Sequence, residues 1–301
     1  MGQSVIKLDK QKMKKLVNYY TPYRSSKKPP YSVMVATING CKITAYESGK
    51  VMFQGDTHAD EAAKWGEVSG KSKEQSKSKA KPNFLDQAHI GSDEAGTGDY
   101  FGPITVAAVY ATERQQELLR ELGVKDSKTL KDPTIRKIVK DVLQTDIIYS
   151  SLTLNNEKYN QLQRKGWTQG RMKAWMHHHA IENIIKKSEG KADYEGILVD
   201  QFCEPEIFFK HVKATRSTPR QDLSFMTKAE SYSIPVAAAS MIARYRFLSE
   251  MNKLSKLVGF DLQKGASKIV DQQIKRIVKS KGEPFLDQIA KVHFANTKKA
   301  R

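Results

Sequence analysis

Ser92-Asp93-Glu94-Ala95-Gly96-Thr97-Gly98-Asp99-Tyr100-Phe101-Gly102-Pro103 sets two adjacent carboxylates directly against a glycine-rich turn. A glycine loop ordinarily offers bare backbone N–H groups to a phosphate. Asp93, Glu94 and Asp99 would repel that phosphate unless a divalent cation lay between them. The simplest resolution is a magnesium-type site that receives a phosphodiester, with glycines allowing close backbone approach. A dinucleotide fingerprint fails on spacing, because the third glycine falls at Gly102, one place too late. The plainer alternative is an ordinary strand-to-turn exit, and the rest of the chain decides between them.

The chain has 301 residues, enough for one large domain or two ordinary ones. Its 51 Lys plus Arg against 33 Asp plus Glu give a formal charge of +18. Such an excess suggests a polyanionic partner, since each cation that neutralises a phosphate releases counterions. Nucleic acid leads that field, with an anionic membrane surface behind it. The only cysteines, Cys41 and Cys203, form no C-x-x-C pair, which argues against a zinc ribbon or a disulfide framework. The chain has no apolar run of about 18 residues and no N-terminal apolar segment, so a cytoplasmic protein is expected.

Gly70 to Pro82 lacks any large apolar side chain and reads as a basic linker. The expected organisation is a small N-terminal domain over 1–69, the linker over 70–82 and a larger domain over 83–301. In the first unit, Asp9 to Tyr20 reads as a short basic helix capped by Asp9. Tyr31 to Ile38, Asn39-Gly40 and Cys41 to Tyr46 read as a hairpin with type I′ turn chemistry. A strand at Val51 to Gln54 and a helix at Thr57 to Val68 follow. One face of that sheet is expected to stay open; Lys42, Tyr46, Lys50 and Phe53 are of the kind that could line it, as suits a nucleic-acid backbone, while Tyr46 and Phe53 read equally well as core residues.

Beyond the linker, strands are expected at His89–Asp93, Ile104–Tyr110, Ile147–Leu154 and Gly196–Asp200. Helices are expected at Asn155–Arg164, Gln169–Ser188 and Pro235–Leu257. The alternation argues an α/β domain with a mixed sheet and flanking helices. Asp200 emerges at the carboxyl end of a buried strand, where open α/β sheets place their ligands. Glu230 lies in the approach to the alanine-rich helix start. His177-His178-His179 cannot bind one ion together, since consecutive residues on a helix face three directions. Trp167 and Trp175 read as helix-packing residues, and Arg244 and Arg246 as phosphate contacts or solvated charges.

Asp93-Glu94-Ala95-Gly96, Gly123-Val124-Lys125-Asp126-Ser127-Lys128, the strand ending in Asp200, and Ala237-Ala238-Ala239-Ser240-Met241-Ile242-Ala243 occur in the order found in type 2 ribonucleases H. Within that family the chain resembles bacterial ribonuclease HIII from roughly Ala88 to the C-terminus. Its N-terminal unit resembles the TATA-binding-protein-like α+β domain that separates ribonuclease HIII from ribonuclease HII. The resemblance implies a ribonuclease H-like fold and hydrolysis of the RNA strand of an RNA–DNA hybrid, leaving 5′-phosphate and 3′-hydroxyl ends. It implies two divalent ions during catalysis, Mg²⁺ or alternatively Mn²⁺, about 4 Å apart. By motif position the ligands are Asp93, Glu94, Asp200 and Glu230, with Glu204 the competitor for the fourth place.

The same resemblance gives Gly96, Thr97 and Gly98 the contact to the 2′-hydroxyl. Ser127 and Lys128 would then contact substrate phosphate. Adjacent strand residues point to opposite faces, so Asp93 and Glu94 both serve only if the strand ends there or Glu94 uses its backbone oxygen. Ribonuclease HII usually carries arginine where Thr97 stands, which favours continuous hybrids over single embedded ribonucleotides. A ribonuclease HII-like activity and a non-catalytic nucleic-acid-binding protein are the alternatives. A monomer is expected, with no protein partner and no membrane.

Overall fold

The computed structural model describes residues 3–26, 29, 32–66, 82–188 and 193–299. Two compact units are present, Met1–Ala80 and Lys81–Arg301. The linker reading lies outside the described residues except for Pro82, as do Tyr31 and the end of the Thr57–Val68 helix reading.

The first unit runs β1 (Gln3–Lys7), α1 (Lys10–Tyr19), β2 (Ser32–Ile38), β3 (Cys41–Tyr46), β4 (Lys50–Gly55) and α2 (His58–Ala63). Its antiparallel sheet has the order β1-β4-β3-β2. The side chain of Asp9 accepts from the Lys12 N–H at 2.8 Å and starts α1. Asn39 and Gly40 both take positive φ, 47° and 74°, as a type I′ hairpin requires. Leu16 and Tyr20 pack with Ile6, Ile43, Val51 and Phe53 on one sheet face. Phe53 therefore belongs to the core, which selects that reading over the open face. The reason is parity: Lys50 and Phe53 are an odd number of residues apart on one strand, so they point to opposite sides. Lys7 pairs with Lys50, and Lys42 with Gln54, so these side chains share the other face with Tyr46.

The second unit runs β5 (His89–Ala95), β6 (Ile104–Ala111), α3 (Glu113–Glu121), α4 (Asp132–Val142), β7 (Ile148–Leu154), α5 (Asn156–Arg164), α6 (Gln169–Lys187), β8 (Gly196–Asp200), α7 (Pro205–Lys213), β9 (Leu223–Met226) and α8 (Ile234–Val258). It closes with α9 (Lys268–Lys281), α10 (Leu286–Ile289) and α11 (Ala295–Lys299). The sheet order is β7-β6-β5-β8-β9. β6 is antiparallel to β5 and β7, whereas β8 is parallel to β5 and β9. Val109 and Ala107 face α8 through Ala238 and Ile242, and Ile90, Val106 and Val199 face α6 through Met176 and Ile181. Both sheet faces are thus covered by a helix, as near-continuous apolar strands demand. Among the described residues no helix is long and apolar enough to cross a membrane.

One close approach sets the distance between sheet and α8. A Cβ on Gly91 would lie 2.3 Å from the Val236 backbone nitrogen and 2.5 Å from the Pro235 carbonyl carbon. Backbone cannot yield as a side-chain tip can. Gly91→Ala should therefore destabilise the second unit by about 2–3 kcal/mol or more, read as a lower urea midpoint at unchanged slope. An unaltered midpoint would show that strand and helix have more room than this.

Candidate active site

Ser92 on β5 pairs with Val199 on the parallel strand β8. One residue further, each strand reaches a carboxylate, Asp93 and Asp200, about one strand spacing of 4.8 Å apart. Asp93 is buried, hydrogen-bonded by the Ser240 side chain from α8 and by the Glu94 N–H at 2.6 Å. Burial pushes its carboxyl well above the usual range, and the charges of Glu94 and Asp200 push the same way. Asp200 accepts from the Ala229 N–H at 2.9 Å. Burial, with help from the nearby charges of Glu230 and Glu94, raises it to about 6 despite that hydrogen bond. These are the shifts expected of like charges gathered in one desolvated place.

Glu230 sits on the single turn Ala229–Ser231, entered through Lys228 in a left-handed conformation (φ 58°). Its Oε1 accepts from the Lys128 ammonium. Its Oε2 is buried and has no hydrogen-bond partner among the described residues. Glu204, the competing fourth acid, is exposed at the N-cap of α7.

β5 remains a paired strand through Ala95, so Glu94 points to the face opposite Asp93. There Lys173 donates to Glu94 Oε1 at 2.7 Å and His177 Nε2–H donates to Oε2 at 2.9 Å. His177 Nδ1 is 2.7 Å from Ser92 Oγ, and its ring stacks on Phe202. Burial raises the Glu94 carboxyl, but the hydrogen bond and charge of His177 together with Lys173 outweigh it and hold it below its ordinary range. Sequence reasoning missed Lys173 and His177. Their four-residue spacing on α6 was the available signal, since it puts them on one face one turn apart.

The glycine loop is braced from beneath. Gly96 has φ +87°, and a Cβ there would meet Pro103 O at 2.3 Å and the Phe247 ring at 2.8 Å. The fully buried Lys291 donates to the carbonyls of Asp99 at 2.8 Å and Gly102 at 2.5 Å. Burial pushes the Lys291 ammonium down to about 7. The Thr97 carbonyl accepts from Gln169 at 3.1 Å. Gly98 is exposed, with nothing within 4 Å of an added Cβ, so no packing within the protein demands a glycine there.

The turn Ser127–Thr129 approaches from the α8 side. Ser127 is buried with its hydroxyl 2.9 Å from that of Ser240, so this hydroxyl ties the turn to α8. Lys128 alone of the pair presents an exposed side chain. Arg244 is held at 2.8 Å by Asp132 in an ion pair. His177 and His178 are buried and His179 is half-buried, on three faces as expected.

The family model for ribonuclease HII matches residues 90–297, which places this chain in the type 2 ribonuclease H class. Residues 3–78 match a domain of unknown function, DUF3378. The ribonuclease HIII of Oceanobacillus iheyensis is 47% identical, with 100% of this chain and 99% of the relative covered. That of Bacillus subtilis is 45% identical, with 100% and 97% covered. The crystal structure of Bst-RNase HIII in complex with Mn²⁺ matches at a TM-score of 0.70 and 39% identity, covering 99% of this chain and 98% of that one. Ribonuclease H2 from Pyrococcus horikoshii, at 22% identity and a TM-score of 0.57 over 71% of this chain and 97% of that one, shares the fold. The chain belongs to the ribonuclease HIII family.

A raised carboxyl binds its proton more readily in the folded than in the unfolded chain. Asp200 therefore withdraws stability as pH rises from its ordinary value of 3.8 through about 6. In chelator at pH 8, Asp200→Asn should stabilise the protein by about 1–2 kcal/mol, after discounting for the part of the side chain that water reaches. The gain should vanish only below about pH 3, where Asp200 is neutral in the folded and the unfolded chain alike. Urea midpoints at the two pH values check this, and equal gains at both would exclude charge as the cause.

Proposed function

We propose that this chain is an endoribonuclease that cuts the RNA strand of RNA–DNA hybrids with divalent-cation assistance. The observation that carries the reading is the packing of Asp93, Asp200 and Glu230 on one side of the sheet, with like charges pressed together and one buried Glu230 oxygen unpartnered. An all-oxygen acidic donor set of this kind suits a hard divalent cation. Among the described residues no three acidic, His or Cys side chains form a ready ligand group. Glu230 and Glu94 are turned onto Lys128 and Lys173 instead.

In this reading Asp93, Asp200 and Glu230 hold the cation from the α8 side, and Glu94, whose carboxylate is taken up by Lys173 and His177 on the other face, contributes through its backbone oxygen. We take the ion to be Mg²⁺, with Mn²⁺ as a substitute and two ions engaged during catalysis. When bound, such ions activate water and neutralise the leaving oxygen in an in-line displacement. The protein's own part is placement. Ser240 and the Ala229 N–H fix Asp93 and Asp200, Lys173 and His177 fix Glu94, and Lys128 stands ready for a phosphate. Gly96, Thr97 and Gly98 line the edge where a ribose 2′-hydroxyl would lie, and Lys291 fixes the loop that carries them. The face with Lys7, Lys42 and Lys50 in the N-terminal unit suits further phosphate contacts.

Matched hybrid, RNA–RNA, DNA–DNA and single-ribonucleotide duplexes, each with Mg²⁺ or chelator, test the activity. Cutting should need Mg²⁺ and concentrate on continuous hybrid. Comparable kcat/KM at a single ribonucleotide would favour the ribonuclease HII-like alternative. Asp93→Asn should slow hybrid cutting about 10³-fold or more while binding stays within a few-fold, because basic surfaces dominate affinity. Retained cutting would remove Asp93 from the chemistry.

Gly98 separates substrate approach from folding. Gly98→Ala should leave stability within about 0.5 kcal/mol yet raise KM for hybrid, whereas Gly96→Ala should destabilise the fold. An unchanged KM for Gly98→Ala would place the substrate elsewhere.

A further inference from the structure

Two lysines neutralise acids of this site, and they are held in opposite ways. The Lys173 side chain is 10% exposed, donates to Glu94 Oε1 at 2.7 Å and lies 3.9 Å over the Phe202 ring. It is built in. The Lys128 side chain is 67% exposed and donates to Glu230, whose own side chain is 1% exposed.

The backbone beneath Lys128 is fixed while its side chain is not. The Lys128 N–H donates to Asp126 Oδ1 at 2.9 Å, and Ser231 Oγ donates to Asp126 Oδ2 at 2.9 Å. The Ser127–Ser240 hydrogen bond pins the same turn to α8. A long flexible stem on an anchored turn can carry its ammonium away from Glu230 without unfolding anything. Glu230 meanwhile keeps Oε2 buried with no hydrogen-bond partner among the described residues, so the ammonium satisfies only half of this carboxylate. A divalent cation would engage it more fully, and an ammonium held on Oε1 of the same carboxylate would repel that cation and weaken its binding.

We propose that Lys128 is a tethered counter-ion that competes with the divalent cation for Glu230 and is drawn off by a phosphate of the hybrid. Hybrid binding and cation loading then reinforce each other, and linkage makes the effect reciprocal. The proposal rests on the reading of Asp93, Asp200 and Glu230 as cation ligands. It deepens the Lys128 assignment, because a lysine that only touches substrate would leave cation affinity alone.

The test is calorimetric titration of the full chain with Mn²⁺, without nucleic acid, for wild type, Lys128→Met, Lys128→Arg and Asp93→Asn. If the ammonium occupies Glu230 most of the time, removing it should tighten Mn²⁺ binding about 5- to 20-fold, since apparent affinity scales with the competent fraction. Lys128→Arg should stay near wild type, and Asp93→Asn should weaken Mn²⁺ binding sharply. In chelator, Lys128→Met should also bind hybrid several-fold more weakly, giving opposite signs for the two ligands. Weakened Mn²⁺ binding in Asp93→Asn, with Lys128→Met within twofold of wild type or weaker, overturns the counter-ion role alone. Undiminished Mn²⁺ binding in Asp93→Asn overturns the ligand reading, and the counter-ion role with it.

Discussion

Two carboxylates at the ends of neighbouring parallel strands repel each other, and the fold holds them together regardless. Asp93 and Asp200 end up side by side because β5 and β8 pair in parallel with Ser92 opposite Val199. Neither can turn away, since α8 closes one face against Gly91 and hydrogen-bonds Asp93 through Ser240. The electrostatic cost shows in both carboxyls being raised above their ordinary range. A scaffold that accepts such a cost in its best-packed region is storing affinity for positive charge.

The surrounding cations follow from that constraint. On the α6 face, Lys173 and His177 saturate Glu94 within a desolvated pocket. On the α8 face, Glu230 is met by a lysine whose side chain is mostly in water. The acids on the two sides of the sheet thus meet a buried lysine and a largely exposed one. This asymmetry is what a site needs if it must keep its shape and still admit a cation and an anionic strand.

The glycine loop depends on residues almost two hundred positions away. Lys291 reaches beneath it to the Asp99 and Gly102 carbonyls, and Asn156 donates to the same Gly102 carbonyl at 2.9 Å. Tyr100 and Phe101 anchor the loop in the core that α9 and α10 cover. The C-terminal helices therefore set the shape of the edge at which a ribose would be read. Gly98, with no steric need for glycine inside the protein, is the point where that edge is left bare.

The sequence by itself determined the elements whose causes are local. Asn39-Gly40 specified its hairpin, Asp9 started its helix, and apolar strands running into Asp93 and Asp200 announced acids toward the carboxyl end of a sheet. The short strands β1 and β9 were not legible, because five and four residues carry too little pattern without a partner strand. Phe53 stayed undecided because an aromatic ring suits either sheet face until register fixes its parity. Only the tertiary structure decided which face Glu94 takes, that Lys173 and His177 hold it, that Ser127 turns inward, and that Lys128 meets Glu230. Each of these joins residues 79 to 113 positions apart, and proximity of that kind arises from packing rather than from any property of the local chain.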